Sequence, residues 1–261
     1  DSTASTTTAG DTIGGADLDG DGLPDMVVSS AVTTFGRLSL VSGADIAQGG
    51  SIAHSDLPSI TGSAGEEFGR HSAMANDIDG DGYAEIVTSA GYASAFPSDG
   101  NEYDLGGVVY VIDGHDFADG QDVDDIAYIN IQGTQISSSL QVIDQLGDHD
   151  GDGLTDVVVS AVNENYVTNQ VNCVSYIFNA TQINGGGSFD MTDAESNILS
   201  NRYSLDLFGY FGTVGDMDAD GDDDLILSGP RSDFAIGSSI NFDGIFGLGH
   251  LYVFESELSG N

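Results

Sequence analysis

Short apolar runs recur along this chain and alternate with polar, glycine-rich segments. Four of these runs read MVVSSA, IVTSAG, VVVSAV and LILSGP, and they begin at Met26, Ile86, Val157 and Leu225. Runs of this length, rich in β-branched residues, are too short for an ordinary helix and are typical of strands buried on both faces. Each run is followed by a second apolar segment, in chain order GRLSLVSG, GVVYVIDG, CVSYIF and GHLYVFES. The pattern predicts an all-β chain with almost no helix.

The remaining strands are predicted from weaker patterns. Innermost strands are expected at FGRHSAMAN, SLQVIDQLG and FGYFGTVG, which start at Phe68, Ser139 and Phe208, whereas the first unit has AGDTIGGA there. Outer strands are expected at LPSITG from Leu57, at IAYINIQG from Ile126 and near 197–199, and the last unit lacks one at Asn261. With about fifteen strands, we predict one domain of four antiparallel four-stranded units, at residues 1–62, 63–133, 134–201 and 202–261.

A nine-residue element rich in Asp and Gly immediately precedes each of the four apolar runs. Its copies are DLDGDGLPD, DIDGDGYAE, DHDGDGLTD and DMDADGDDD, which start at Asp17, Asp77, Asp148 and Asp216. The starts are 60 to 71 residues apart, a period that suits one four-stranded antiparallel unit with long connections. We call these copies acidic loops 1 to 4 and number their residues as positions 1 to 9.

The spacing D-x-D-x-D-G-x-x-D predicts a calcium site in each acidic loop. Positions 1, 3, 5 and 9 carry carboxylates, position 7 is expected to give its backbone carbonyl, and glycine at position 6 permits the sharp turn. Oxygen ligands without Cys or His favour Ca²⁺ over Zn²⁺, and a flexible loop favours Ca²⁺ over Mg²⁺. The predicted ligands are Asp17, Asp19, Asp21, Leu23 and Asp25; Asp77, Asp79, Asp81, Tyr83 and Glu85; Asp148, Asp150, Asp152, Leu154 and Asp156; and Asp216, Asp218, Asp220, Asp222 and Asp224.

Two other interpretations of the acidic loops are weaker. Plain Asp/Gly-rich turns would crowd four carboxylates without a cation, at a repulsion of kcal/mol size for each close pair. An EF-hand needs a bidentate Glu at position 12, on a helix that leaves the loop. The four copies have Val28, Thr88, Val159 and Leu227 at that position, all within predicted strands.

The charge balance excludes two classes of partner. The chain has 43 acidic residues against four Arg and no Lys, for a formal net charge of −39. Nucleic acids and anionic membranes are bound through clustered cations, so neither is an expected partner. No apolar run reaches 18 residues, and we therefore predict no membrane insertion. The acids outside the loops suggest a surface adapted to high salt or to divalent ions, which screen self-repulsion.

Other reactive residues give no catalytic pattern. Cys173 is the single cysteine, so an internal disulfide framework is impossible. Bound metal ions could stabilise the fold instead. The five histidines are scattered and have no Ser or Cys nucleophile at a recognisable spacing. His149, at position 2 of acidic loop 3, is expected to make a simple hydrogen bond or to lie on the surface. We predict that the chain is not an enzyme.

The order of these motifs resembles the FG-GAP repeats of integrin α-subunit propellers. The resemblance rests on Phe68-Gly69 and Phe208-Gly209, then the acidic loops, then SA or SGP in the place of GAP, then strands such as GVVYVIDG. It implies a β-propeller with one four-stranded blade per repeat and calcium between the first and second strands. Integrin propellers have seven blades, so this four-repeat chain would be closed by residues 1–8 as the missing outer strand, or would belong to a larger propeller or pair with another copy.

The ligand face is expected opposite the acidic loops. In a four-stranded meander, the second-to-third connections lie at the end away from the first-to-second ones, and long loops on rigid scaffolds commonly bind ligands. Exposed aromatic residues and Arg are typical anchors. The candidate ligand-binding residues are Tyr92, Phe96, Tyr103, Tyr166, Arg231, Phe234, Phe242 and Phe246.

The function expected from these features is that of an extracellular or cell-surface module for adhesion, ligand binding or scaffolding. Its partners would be proteins or glycans, and self-association is a further expectation. One alternative is the propeller domain of a secreted polysaccharide-active enzyme, which needs an acid/base pair in a cleft. A second alternative is a structural repeat of a larger surface adhesin.

Overall fold

The computed structural model describes residues 12–30, 35–135, 139–142, 146–165, 170–199, 212–229 and 250–254. These residues form β-sheets with a few short helical turns, so the all-β prediction is confirmed. Among them, no helix is long and apolar enough to cross a membrane. The proposed closing strand 1–8 and the Phe208-Gly209 pair lie outside the described residues.

In the first two sheets, the four main strands are antiparallel and lie in chain order. The first contains β1 (Thr12–Gly14), β2 (Met26–Ser30), β3 (Arg37–Val41) and β4 (Ser59–Thr61). The second contains β5 (Phe68–Ala75), β6 (Glu85–Ala90), β7 (Val108–Asp113) and, after the short β8 (Gln121–Asp122), β9 (Ile129–Gln132). The strands predicted from the sequence are present in these two sheets, and β1 lies within AGDTIGGA, where the sequence did not indicate an innermost strand.

The other two sheets repeat this arrangement. The third contains β10 (Leu140–Val142), β11 (Val157–Asn165), β12 (Gln170–Phe178) and, after β13 (Gly187–Asp190), β14 (Ser196–Leu199). The fourth contains β15 (Gly212–Gly215), β16 (Asp224–Gly229) and β17 (His250–Phe254). The described residues thus form four successive sheets, each with an acidic loop between its first and second strands.

Helical turns follow the third strands. They are α1 (Gly43–Gln48), α2 (Val123–Ile126) and α3 (Ala180–Ile183), with 3₁₀ turns at His54–Asp56, Gly114–Asp116 and Met191–Asp193. The α1 turn starts at Ser42, whose hydroxyl accepts a hydrogen bond from the Asp45 amide as an N-cap. The outer strand predicted from Ile126 begins later, at Ile129, because Asp122 caps α2 and the chain is helical up to Ile126.

Two short parallel strands tie neighbouring sheets together. β8 lies in the third-to-fourth connection of the second sheet, yet pairs with β4 at the edge of the first sheet. In the same way, β13 comes from the third repeat and pairs with β9 of the second sheet. These strands have only two and four residues, too few to show a period, and the sequence did not predict them.

Apolar residues fill the spaces between the sheets. Alternate residues of β6 point to opposite sides: Ile86 packs in the cluster with the first sheet, and Val87 packs in the cluster with the third. All six residues of β6 are buried, as predicted. β2 differs, because Met26 and Val28 are only partly buried. Their counterparts in the other sheets pack against a preceding sheet, and among the described residues no sheet precedes the first one. The prediction of burial on both faces is therefore wrong for β2.

Candidate metal centres

The four acidic loops occupy equivalent places at one end of their sheets. They connect β1 to β2, β5 to β6, β10 to β11 and β15 to β16. Successive strands of each sheet are antiparallel, so the second-to-third connections lie at the opposite end. The structure therefore collects all four loops on one face, which we call the acidic face.

The Asp at position 1 organises the first half of each loop. One oxygen of Asp17 accepts a hydrogen bond from the Gly20 amide and the other accepts one from the Gly22 amide, both at 2.8 Å. Asp77, Asp148 and Asp216 make the corresponding pairs of bonds with amides at positions 4 or 5 and 6. Each loop is thus folded around its first carboxylate.

The Asp residues at positions 3 and 5 continue the same pattern. In acidic loop 1, Asp19 accepts a hydrogen bond from the Asp21 amide, and Asp21 accepts one from the Leu23 amide. The other three loops repeat both bonds. Each of these Asp residues uses one carboxylate oxygen in this way, and in acidic loop 3 the other oxygen of Asp150 also accepts a hydrogen bond from the Asn179 side chain. A carboxylate oxygen has two lone pairs, so these bonds leave acceptor capacity for a cation.

Position 9 holds the buried end of each loop. One oxygen of Asp25 accepts the Leu18 amide at 2.8 Å, and the other accepts the Gly43 amide at 2.7 Å, beyond the third strand. Asp156 bridges the amides of His149 and Ala180 in the same manner. In acidic loops 1 and 3, the position 9 carboxylate therefore fastens the loop to the end of the third strand, a second role that the ligand pattern alone did not reveal.

Carboxylate oxygens converge within each loop. In acidic loop 2, one oxygen from each of the four predicted acids lies within 4.8 Å of the others. The other three loops bring three acids together at this distance. The converging sets are Asp77, Asp79, Asp81 and Glu85; Asp17, Asp19 and Asp25; Asp148, Asp150 and Asp156; and Asp216, Asp218 and Asp220. The predicted acids Asp21, Asp152 and Asp224 belong to the same loops but lie outside these sets, and the position 7 carbonyls stay a prediction.

The surroundings of Glu85 fit a cation most clearly. Its Oε2 accepts the Ile78 amide at 2.9 Å, whereas its Oε1 is buried and has no hydrogen-bond partner among the described residues. Burial, with added repulsion from Asp79 and Asp77, raises the pKa of Glu85 to about 8. A buried oxygen of this kind, within reach of three further carboxylates, fits a hard divalent cation such as Ca²⁺.

Other carboxyl groups of the acidic face are perturbed in the same direction. Burial raises the pKa of Asp156 to about 7, against the opposing effect of its two backbone hydrogen bonds. Desolvation together with neighbouring carboxylates also raises the pKa of the position 3 residues Asp19, Asp79, Asp150 and Asp218. Without a cation, these groups would hold their protons more tightly than free carboxyls do.

Left-handed backbone shapes every acidic loop. The position 6 glycines, Gly22, Gly82, Gly153 and Gly221, have φ between 85° and 111°. At position 4, three loops also have a left-handed glycine, but acidic loop 4 has Ala219 at φ 65°. A non-glycine residue in this conformation is strained by roughly 1–2 kcal/mol.

Replacing Ala219 by Gly is expected to stabilise the protein by roughly 0.5–1 kcal/mol, because relief of the strain exceeds the extra entropy of glycine in the unfolded chain. Thermal unfolding in calcium-containing buffer measures the effect. Ala53→Gly is the matched control, since Ala53 has φ −72° and is exposed. A stabilisation by Ala53→Gly equal to that of Ala219→Gly would contradict the strain argument.

Comparison with known families supports the repeat assignment. Residues 68–112 match the FG-GAP repeat family. This FG-GAP repeat runs from Phe68 through acidic loop 2 and β6 into β7. The resemblance drawn from the sequence is therefore confirmed for this part of the chain.

The structure explains the Phe-Gly pair of the FG-GAP repeat. Phe68 is fully buried and meets the Tyr110 ring edge-on, at 6.2 Å between centroids. The pairing of β5 with β6 is irregular between Phe68 and Ser72, where Gly69 has φ 81°. Gly36 approaches so closely that a Cβ there would lie 1.9 Å from the Phe68 carbonyl oxygen. The pair thus seats the FG-GAP repeat against the preceding sheet.

Two solved structures align with most of the chain. A rhamnogalacturonan lyase from Bacillus licheniformis aligns over 84% of this chain with 15% sequence identity and a TM-score of 0.49. The exotype rhamnogalacturonan lyase YesX aligns over 84% of this chain with 16% identity and a TM-score of 0.48. The chain spans 39% and 38% of the lengths of these two proteins.

The predicted ligand face is described only in part. Within the second-to-third connection of the FG-GAP repeat, Phe96 is 60% exposed, Tyr92 is 39% exposed and Tyr103 is partly buried. Tyr103 donates its hydroxyl to Asp99 at 2.7 Å and pairs with Ala95 through the backbone. The other candidates, Tyr166, Arg231, Phe234, Phe242 and Phe246, lie outside the described residues.

Proposed function

We propose that the chain is a calcium-binding β-propeller module of an extracellular or cell-surface protein, which binds a protein or glycan ligand or acts as a scaffold. The observation that carries the proposal is the repetition of one hydrogen-bonded loop at the same end of four sheets, each with converging carboxylates. Four blades, one per repeat, are part of this proposal.

The donor set fits Ca²⁺ better than other common cations. The converging groups contain carboxylate oxygens and no His or Cys, which argues against Zn²⁺. Loops of this type can supply six or more oxygens with flexible geometry, whereas Mg²⁺ requires a near-ideal octahedron. Extracellular calcium sites typically bind with dissociation constants of about 10⁻⁴ to 10⁻³ M, which suits an extracellular setting.

The role of the cation in this proposal is to fix the blade. The loops join the first two strands of a sheet, and position 9 also reaches the end of the third strand through Gly43 or Ala180. A bound cation would neutralise the clustered carboxylates and hold these three strand ends together. The module would then be most rigid where calcium is abundant.

The proposed ligand site lies on the face opposite the acidic face. Its support is the connection 91–107, which presents Phe96 and Tyr92 on an anchored backbone. Both the amide and the hydroxyl of Ser98 donate to buried Asp190 of the next repeat, and the Phe96 amide donates to Gln132. Because this connection is already fixed before binding, it would lose little conformational entropy when a ligand binds.

We propose that the module itself is not catalytic. The nearest approach to a catalytic pair among the described residues is Ser39 and His54, whose Oγ and Nε2 are 3.0 Å apart. Ser39 is fully buried, and its Oγ also accepts a hydrogen bond from Arg37 Nε. This hydroxyl therefore stabilises the connection after β3, and a substrate cannot reach it.

Incubation with acidic and neutral glycans separates binding from catalysis. We expect retention of a ligand on the immobilised calcium-loaded chain, with no change in the recovered glycan, and loss of retention in Phe96→Ala. Ile46→Ala, at an exposed apolar residue of α1 outside the acidic loops and the proposed ligand face, is the control and should bind normally. Cleavage of any glycan by the pure chain would overturn the non-catalytic assignment, and equal retention by both variants would overturn the ligand face.

A further inference from the structure

Consecutive acidic loops are joined by a repeated backbone hydrogen bond. The amide at position 8 of each later loop donates to the carbonyl at position 1 of the loop before it. These bonds run from Ala84 to Asp17 at 3.3 Å, from Thr155 to Asp77 at 2.8 Å and from Asp223 to Asp148 at 2.7 Å. The four loops are therefore linked in one direction, from the fourth towards the first.

A second contact follows the same direction. The side chain at position 7 of each later loop lies over the position 4 glycine of the loop before it. A Cβ at Gly20 would be 2.5 Å from the Tyr83 ring, one at Gly151 would be 2.2 Å from the Asp222 carboxylate, and one at Gly80 would be 3.9 Å from Leu154. Close packing thus accompanies the hydrogen bond at Gly20 and Gly151, and at Gly80 the neighbouring side chain leaves room for a Cβ.

The residues at the two ends of the series differ from the rest. Position 8 of acidic loop 1 is Pro24, which has no amide hydrogen to donate to a preceding loop. Position 4 of acidic loop 4 is Ala219, where the other loops have glycine. Acidic loop 1 is the first of the series and has no preceding loop in it to which a position 8 amide could donate. Acidic loop 4 is the last of the series, so no later loop in it packs over its position 4 residue.

We infer that the position 8 amides are positioning groups for the metal centre of the preceding loop, so that each of the centres in loops 1 to 3 is coupled to the next loop. This inference rests on the calcium binding proposed above. It assigns to Ala84, Thr155 and Asp223 a role outside their own loops.

The coupling has a direct physical basis. Position 8 is adjacent to the position 9 acid, so a cation that orders this acid also fixes the amide next to it. The fixed amide then holds the main chain of the Asp that begins the preceding loop, and a preorganised loop binds its cation more tightly. Because linkage is reciprocal, occupation of the preceding loop strengthens the later one by the same factor.

The test replaces Thr155 by Pro, which removes the donor to Asp77 and gives acidic loop 3 the GLPD sequence of acidic loop 1. Pro24→Thr is the matched control, since it makes the reverse change where no preceding loop in the series accepts a bond. Calcium titrations of [¹⁵N]glycine-labelled protein report each centre through its position 6 amide, Gly22, Gly82, Gly153 or Gly221, which donates to the position 1 carboxylate.

In Thr155→Pro, the calcium concentration at the midpoint of the Gly82 titration should rise about three- to tenfold, the loss expected for one hydrogen bond. The Gly221 midpoint should change by less than the Gly82 midpoint, because acidic loop 4 is linked only to acidic loop 3. The Gly22 midpoint should not change in Pro24→Thr. A Gly82 midpoint within twofold of the unmodified chain would overturn the inference. If Thr155→Pro does not fold, Ala84→Pro read at Gly22 makes the same test. Absence of any calcium-induced shift in the unmodified chain would instead overturn the proposed calcium binding.

Discussion

Removal of calcium is expected to lower the melting temperature by about 12–24 °C. At millimolar calcium, a site with a dissociation constant of about 10⁻⁴ M contributes about 1.4 kcal/mol to stability by mass action. Four such sites contribute about 6 kcal/mol, and each kcal/mol shifts the melting temperature of a chain of this size by about 2–4 °C. Circular dichroism melts of calcium-loaded and calcium-stripped protein measure the difference.

Two additions make the melting experiment specific. Magnesium at the same concentration should restore only a small part of the lost stability, because it dehydrates reluctantly and needs a stricter geometry. Asp77→Asn should reduce the calcium-dependent shift by about a quarter, whereas Asp104→Asn, at an exposed residue outside the acidic loops, should leave it unchanged. A melting temperature that is insensitive to calcium would contradict the structural role of the cation.

The stability of the calcium-stripped protein is expected to fall as the pH rises from about 4.5 to about 8. Glu85 has an ordinary pKa of 4.5, and burial raises its pKa to about 8 in the folded chain. Its proton is therefore bound more tightly in the folded state than in the unfolded state, and this stabilising contribution is lost as the pH passes through the folded pKa. Asp156, with a pKa raised from 3.8 to about 7, acts in the same direction.

Calcium should remove most of this pH dependence, because the bound cation takes the place of the proton among the carboxylates. The melting temperatures of the loaded and stripped protein should thus separate progressively as the pH increases from 5 to 8. Glu85→Gln should flatten the curve of the stripped protein, and Glu102→Gln, at an exposed site, should not. A stripped protein that gains stability over this pH range would refute the account of the buried carboxyls.

Much of the fold could be predicted from local sequence. Runs such as IVTSAG indicate buried strands because their length and β-branched residues exclude a helix, and the acidic loops mark the turn between the first and second strands. The carboxylate spacing also predicted which residues converge in acidic loop 2, since the spacing and the glycine at position 6 define the turn by themselves.

The features that sequence did not predict depend on contacts between repeats. The strands β8 and β13 pair with the sheet of the preceding repeat, and two to four residues carry no detectable pattern for such a contact. The hydrogen bond that Asp25 accepts from the Gly43 amide could not be predicted, because the sequence does not show that these two residues are neighbours. The partial exposure of Met26 and Val28 likewise depends on which sheet is their neighbour, and not on their own sequence.

The interloop bonds illustrate the same distinction. Pro24 and Ala219 appear in the sequence as small departures from a repeated motif, and their position at the two ends has a meaning only once the bond from Thr155 to Asp77 is known. The sequence of one repeat is enough to predict the calcium ligands of its own loop. The hydrogen bonds between loops depend instead on which repeats are neighbours on the acidic face.

The central claim is that each of the four acidic loops holds one calcium ion. A crystal structure of the calcium-loaded protein, with anomalous data collected at long wavelength, tests it most directly. The account predicts four anomalous peaks, each within about 2.3–2.6 Å of oxygens from positions 1, 3, 5 and 9 of one loop. Ordered loops without such peaks, or with carboxylates turned away from one another into solvent, would contradict it.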